Sequence, residues 1–398
     1  MREMKDSGVR WIGKIPTKWT IAKAKNCVEI QNGSDPKTEG SIPVYGSGSM
    51  SFKTCGEYKE GPSVLIGRKG ATLHIPHYIS SKFWNVDTAF NVYSKSIFDL
   101  KYYFYCAHVF DYTLYMSQTT LPSMTQTAYE NMFLPLPTKE EQYAIANQLD
   151  QICSKIDTVL EKTRASIEEY KKLKQAVITQ AVTKGVRGDR PMKNSGIEWI
   201  GDIPAEWSVV PFSKFARVSA NLVNPSDYQD YLQVSPENIE KDSGKLLPCK
   251  TVSEVGVESW NHFFHKGQIL YSKIRPKLNK VCIAPFDGLC SADMYPIDTD
   301  NVSKFVMYTI LSNGFNQQVS MITENRVKMP KINQKELSKL IVVMPKDYSE
   351  QQEVVDYLED RCVKIDTLIT QKQQYLTEIE NYKKSLIYEY VTGKKEVV

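Results

Sequence analysis

The sequence predicts an α+β protein: two mixed α/β globular bodies joined by two long antiparallel helices, a coiled-coil spacer with an internal pseudo-two-fold repeat. Two observations carry this. Residues 4–21 (MKDSGVRWIGKIPTKWTI) return as residues 192–209 (MKNSGIEWIGDIPAEWSV), an offset of 188 that pairs Trp11 and Trp19 with Trp199 and Trp207. Duplication at this scale marks a duplicated structural unit. In addition, two long stretches, 139–184 and 348–392, contain neither Pro nor Gly and carry apolar residues at steps of three and four, the spacing of one helix face.

The repeat continues with a growing offset. Val64-Leu-Ile-Gly-Arg68 aligns with Ile269-Leu-Tyr-Ser-Lys273 at 205, Pro122 and Pro137 with Pro330 and Pro345 at 208, and Lys155-Ile-Asp157 with Lys364-Ile-Asp366 at 209. The jump from 188 to 205 falls between residues 21 and 64, so the halves share a frame and differ inside it. The expected division is a first body with its Trp-containing lead segment (1–138), a central helix (139–185), a second lead segment and body (186–347), and a distal helix with the C-terminal tail (348–398). The bodies mix alternating, strand-like runs (Ser63–Ile66, Asn91–Tyr93, Gln268–Tyr271, Val281–Ala284) with turn pairs such as Asn32-Gly33 and Asp287-Gly288.

The helix limits follow from local chemistry. Pro137-Thr-Lys-Glu-Glu and Pro345-Lys-Asp-Tyr-Ser-Glu place a stop, a cap and acids before each ladder, and Gly185 and Gly393 end them. The first ladder reads Ile145, Leu149, Ile152, Ile156, Val159, Thr163, Ile167, Tyr170, Val177; the second reads Val354, Leu358, Cys362, Ile365, Leu368, Leu376, Ile379, Tyr382, Leu386. Each helix is roughly 65 Å long at 1.5 Å per residue. One apolar stripe of that length needs a partner helix, and the two copies are each other's obvious partner. Trp11, Ile12, Ile15, Trp19 and their copies read as a hydrophobic clamp.

Composition bounds the function. The 398 residues include 41% hydrophobic and 24% charged residues, with a net charge of +4. That is globular usage and only weakly favours an anionic partner. No apolar run approaches the ~20 residues of a membrane span, and Met1-Arg-Glu-Met-Lys-Asp lacks a signal-peptide core, so a cytoplasmic chain without membrane contact is expected. Eight scattered cysteines with no Cys-x-x-Cys pair read as reduced thiols.

No catalytic constellation emerges. Gly8-x4-Gly13-Lys14 lacks the Ser or Thr of a phosphate loop, and its copy has Asp202 at the lysine position. There is no Asn/Asp-Pro-Pro-aromatic motif of the kind an exocyclic-amine methylase carries; Asn224-Pro225-Ser226-Asp227 is the nearest miss. His74/His77 and His262/His265 lie on strand-like stretches, where i and i+3 face opposite sides, so no metal is expected.

Basic residues recur at one frame position in both bodies. Gly67-Arg-Lys-Gly70 supplies Arg68 and Lys69; Ser272-Lys-Ile-Arg-Pro-Lys277 supplies Lys273, Arg275 and Lys277. Such clusters bridge phosphates, and Arg reads guanine; the alternative is a solvated turn. Polar loops precede the last strand of each body. They carry Thr120, Ser123 and Gln126 in one half and Asn325, Arg326 and Lys328 in the other, donors and acceptors suited to base edges or to a plain connection. Lys171, Lys172 and Lys174 form either a solvated face or an approach to DNA or a partner.

These features together resemble the DNA-specificity subunit of type I restriction–modification enzymes. The carriers are the doubled MKDSGVRWIGKIPTKW and MKNSGIEWIGDIPAEW, the Leu-Pro-x-x-x-Glu-Gln approach to the first helix, and Tyr-Lys-Lys…Val-Thr-Gly closing the second. Val64-Leu-Ile-Gly-Arg-Lys-Gly70 and Leu121-Pro-Ser123 resemble pieces of that family's target recognition domains. The resemblance implies a subunit with no catalytic centre and no cofactor of its own, whose two recognition domains each read half of a bipartite double-stranded DNA target. It implies a helical spacer that sets the gap, and two methyltransferase subunits supplying S-adenosylmethionine. It also implies two motor–nuclease restriction subunits using ATP and magnesium. One departure stands out: Tyr348-Ser-Glu-Gln-Gln replaces the tighter Pro-x-x-x-Glu-Gln, so a less sharply defined start is expected for the second helix.

Overall fold

The computed structural model describes residues 2–95, 97–117, 122–326 and 330–397. Two compact units emerge: residues 1–164 with 373–398, and residues 165–372. The partition differs from four sequential segments because both long helices, Lys139–Lys184 and Tyr348–Val391, are divided between the units. Each core recruits the end of one helix and the start of the other.

The two units repeat one local plan. Each lead segment is a hairpin, Met4–Asp6 with Lys14–Pro16 and Met192–Asn194 with Asp202–Pro204. The glycines that imitate a phosphate loop are turn residues: Gly8, Gly13 and their copies Gly196 and Gly201 all have φ between 65° and 77°, which glycine adopts without a Cβ clash. The clamp forms. Trp11, Ile12, Ile15 and Trp19 are buried in the first core with Leu149, Tyr102 and Val391, and Ile200, Ile203 and Trp207 in the second. Trp199 is the exception: it is 43% exposed where Trp11 is 7%. Trp11 is covered edge-on by Phe110 at 5.4 Å, whereas Trp199 lies against Gly314, which has no side chain to cover it.

Each body is closed by one antiparallel pair, Thr20–Lys23 with Phe133–Leu136 and Ser208–Pro211 with Ile341–Met344. Each contains a four-stranded antiparallel sheet in the same order: 28–32, 89–94, 63–67, 77–79 in the first unit and 217–218, 294–298, 269–272, 281–283 in the second. The second sheets differ, three strands (42–45, 51–55, 84–85) against five (222–223, 232–234, 250–251, 261–264, 288–290). That difference is where the sequence offset jumps.

The recurrent Glu-Gln pair has a structural task. Gln142 is fully buried; its Oε1 accepts from Asp99 N at 2.7 Å and its Nε2 donates to Pro137 O at 3.1 Å. Gln351 repeats this: Oε1 accepts from Val302 N at 2.9 Å, and Nε2 donates to Asn301 Oδ1 at 2.8 Å and Pro345 O at 3.2 Å. Glu141 accepts Trp19 Nε1 at 3.1 Å, while Glu350 is nearly buried against Arg190. The expected loose start of the second helix is corrected. Asp347 caps it, its Oδ1 accepting Ser349 N at 2.9 Å, as the Thr138 hydroxyl accepts Glu141 N at 3.3 Å in the first.

Inside each unit the helices run antiparallel. In the first, Asp157 pairs with Lys383 at 2.6 Å and Arg164 with Glu380 at 2.6 Å; in the second, Lys174 pairs with Asp366 at 2.7 Å and Lys372 lies 5.6 Å over the Tyr170 ring. Burial follows a heptad: Leu149, Cys153, Ile156, Leu160, Thr163, Ile167, Tyr170, Lys174 in one helix and Leu358, Cys362, Ile365, Ile369, Lys372, Leu376, Ile379, Lys383, Leu386, Tyr390 in the other. Ile145 is buried and Ile152 half-buried at the flank. Three expected ladder residues are corrected. Val159, Leu368 and Tyr382 are 39%, 40% and 57% exposed, and Leu160, Ile369 and Lys383 take their seam places. The cause is a third apolar column one residue before the seam, which competes with it in the sequence. Lysine belongs at the seam because its methylene stem packs while its ammonium pairs. Lys174, read above as a surface group, is accordingly buried.

His108 sits edge-on to Phe104 at 4.6 Å. Burial, and secondarily Lys383, hold its imidazole down at about 4, with Asp157 opposing weakly. The unfolded group titrates near 6.5, so the unfolded chain binds more protons between these values and stability falls as pH drops through that window. Urea unfolding of the first unit is expected to lose up to about 3 kcal/mol between pH 7.5 and 4 from this group, and His108→Gln should flatten that dependence.

Candidate nucleic-acid interface

In the first unit the buried strand Ser63–Gly67 delivers the chain to the basic turn. Gly67 is required there: a Cβ would lie 2.2 Å from Leu73 Cα. Main-chain bonds then lash the turn to the polar loop. Arg68 N donates to Thr88 O at 2.8 Å, Met124 N to Arg68 O at 2.9 Å, and Gly70 N to Pro122 O at 3.1 Å.

The second unit uses the same three bonds at the matched positions. Lys273 N donates to Asp293 O at 3.0 Å, Ile332 N to Lys273 O at 3.0 Å, and Arg275 N to Pro330 O at 2.8 Å. Bridges Lys69↔Ser123 and Ile274↔Lys331 occupy equivalent places. The bracing is main-chain and common; the side chains it presents are different.

Those side chains divide into free and committed groups. Arg275 and Lys277 are exposed on a turn bracketed by Arg275 (φ 44°) and Asn279 (φ 45°), sparsely populated conformations for residues with side chains. Buried Asn279 holds the turn by donating to Leu311 O at 3.0 Å. Lys273 places its ammonium 5.2 Å over the Tyr295 ring. Arg68 and Lys69 are half-buried, Arg68 5.8 Å over Phe90 and Lys69 3.7 Å from Asp87. Ser123 Oγ lies 2.7 Å from Ser117 Oγ. Asn325 is exposed.

Gln126 and Arg326 are committed elsewhere. Gln126 Nε2 donates to Ile30 O at 3.0 Å and its Oε1 accepts from Asn32 at 3.0 Å. Arg326 grips Glu336 and the Lys331 carbonyl, bracing the loop. Neither is an open base-reading group. Thr120 and Lys328 lie outside the described residues.

Behind the first turn lies a polar hub absent from the sequence reading. Lys59 Nζ donates to Asn91 Oδ1 at 2.6 Å, Asn85 Oδ1 at 2.8 Å and Asn32 O at 3.1 Å, and burial pushes its pKa down to about 8. Lys59→Met would orphan three acceptors; about 2 kcal/mol of stability should be lost in urea unfolding. In the second unit His262 is held below its usual range by burial and then by Lys273. Among the described residues no group of three His, Cys, Asp or Glu side chains is placed to hold a metal ion, and no helix is long and apolar enough to cross a membrane.

Comparison with known proteins agrees with this plan. A family profile described as "Type I restriction modification DNA specificity domain" matches residues 16–169. The EcoDI specificity subunit of Escherichia coli is 29% identical, over 96% of this chain and 90% of its own. The MjaVIII specificity subunit of Methanocaldococcus jannaschii is 26% identical, over 70% of this chain and 66% of its own. A chain solved in a study of complex assembly and conformational transition of the type I R-M system shares the fold, with a TM-score of 0.72 at 12% identity over 96% of this chain and 99% of that one. The duplicated frame, the doubled turn-and-loop surface and these relatives agree: residues 16–169 match a type I DNA specificity domain, and the chain is similar over most of its length to the specificity subunits of type I restriction–modification systems.

Proposed function

We propose that each unit reads one half of a bipartite duplex DNA target through its turn-and-loop surface, and that the paired helices set the unread gap. The observation that carries this is the identical main-chain bracing of a basic turn in both units beneath different side chains. A common frame with a changeable face is what two independent readers require: phosphate contacts position, base contacts specify. On this reading the chain is non-catalytic and binds no cofactor. S-adenosylmethionine belongs to two methyltransferase subunits, and ATP and magnesium to two motor–nuclease subunits.

The exposed apolar column supports helix docking of the methyltransferases. Val159, Tyr375 and Tyr382 lie on the first unit, and Leu173 and Leu368 on the second, at g positions flanking the heptad seam. A third helix would cover them. Tyr375→Glu with Tyr382→Glu is expected to abolish co-purification of one methyltransferase copy; unchanged stoichiometry by native mass spectrometry would count against this face.

The deciding experiment is a methylation map. Co-expression with the methyltransferase subunit in a host lacking adenine methylation, followed by N6-methyladenine sequencing, should reveal two short half-sites around a fixed gap. No methylation from a soluble, co-purifying pair would support a protein-binding adaptor instead. With a net charge of +4 and affinity dominated by phosphate neutralisation, the isolated chain is expected to bind DNA weakly at physiological salt; nanomolar affinity would contradict this.

A further inference from the structure

The strongest unexplained feature of the first unit is an apolar pair beside the basic turn. Strands Ile42–Tyr45 and Ser51–Cys55 form a hairpin, and the connection Gly46-Ser-Gly-Ser-Met50 carries Met50 at 82% exposure, followed by Phe52 at 60%. Among the described residues of this unit no large apolar side chains are more exposed. Water contact at this level is unfavourable for both, and no core residue shelters them.

The hairpin tip is tied to the candidate interface. Ser47 Oγ lies 3.1 Å from Thr72 Oγ1, within the turn that begins at Arg68. Val86 N donates to Tyr45 O at 3.0 Å. A Cβ on Gly46 would touch Thr88 Oγ1 at 3.0 Å and Phe52 Cε1 at 3.8 Å, and Thr88 O is the acceptor that fixes Arg68. Lys53 Nζ stands 5.6 Å from the Phe52 ring. Two exposed apolar side chains therefore stand on a hairpin bonded to the turn that carries Arg68 and Lys69, with Lys53 beside Phe52. The matched part of the second unit is built from different strands.

We propose that Met50 and Phe52 form a wedge that enters the base stack of the DNA half-site read by the first unit, with Lys53, Arg68 and Lys69 on the flanking phosphates. Phe and Met are side chains that insert between base steps, and an aromatic face stacks on any base. The cationic rim argues for a polyanion as the occupant. The wedge distinguishes the first half-site by how readily its sequence unstacks, since deformability is read as energy. This inference rests on the assignment of the turn surface as DNA-facing.

The test uses the assembled complex of this chain with its methyltransferase partner, on duplexes carrying the mapped target with 2-aminopurine placed at successive positions of the first half-site. The wild-type complex should raise fluorescence several-fold at one step. Phe52→Ala should abolish the rise and weaken binding about tenfold without changing the dependence on salt; Met50→Ala should reduce both in part. Arg68→Ala with Lys69→Ala should lower the salt slope and leave the rise intact at saturation. If the slope falls but no position brightens, or brightens equally with Phe52→Ala, the wedge is wrong while the DNA-facing assignment stands. If the slope is unaltered, the assignment fails, and the wedge with it. If Phe52→Ala blocks assembly with the methyltransferase before DNA is added, the tip is a protein-docking surface and the proposal is overturned.

Discussion

Exchange of residues 22–137 for the body of another specificity subunit is expected to change one methylated half-site completely and to leave the other half-site and the gap intact. The structure explains why such a graft can be accommodated. The two ends of the body leave side by side, paired through Ile21↔Pro135 and Ala22↔Leu134. The attachments just outside it are Trp19, which donates to Glu141, and Gln142, which grips the main chain at Pro137 and Asp99. Two of these partners, Pro137 O and Asp99 N, are backbone atoms, so a foreign body need only supply the same turn. Methylation mapping of the hybrid reads the result. A change in both half-sites would show that the bodies are not independent readers.

A large loss of stability is expected when Asp366 is replaced by Ala. Its carboxylate receives two bonds from Lys174, at 2.7 and 2.9 Å, and Lys245 lies 3.4 Å away. The Lys174 side chain is only 9% exposed. Removing its partner strands a buried ammonium, which costs about 3 kcal/mol. Replacing both, Lys174→Met with Asp366→Leu, should restore stability to within about 1 kcal/mol, because the desolvation penalty leaves with the charges. Asp157→Ala should cost less, since Asp157 is half-exposed and Lys383 more open than Lys174. Urea unfolding of the single and double variants closes the cycle. A double variant as unstable as Asp366→Ala would mean the pair contributes more than charge neutralisation. A shifted methylation gap in the double variant would assign it the helix register as well.

The repeat and the two long helices are legible in the sequence because they rest on local rules. A duplicated lead segment is visible by inspection, and a Pro-free, Gly-free stretch with caps at Thr138 and Asp347 has few alternatives to a helix. The basic turns are legible for the same reason: Arg68 and Lys273 stand at one frame position after a buried strand. Apolar periodicity alone places the seam one residue early at Val159, Leu368 and Tyr382, whose apolar side chains face outward. Periodicity counts apolar residues and cannot say that Lys174 and Lys383 enter the seam by pairing with aspartates 192 and 226 residues away.

Sequence by itself determined the family plan: duplicated frame, helical spacer, variable bodies, no recognisable catalytic motif. Tertiary structure decided which of the polar candidates stay free. Gln126 and Arg326 have the right chemistry to read bases, yet Ile30 and Glu336 claim them. Met50 and Phe52 carry no motif, yet the Ser47–Thr72 contact ties their hairpin to the turn that begins at Arg68. Hydrogen-bond partners and exposure depend on chain segments far apart in sequence, and only folding brings those segments together.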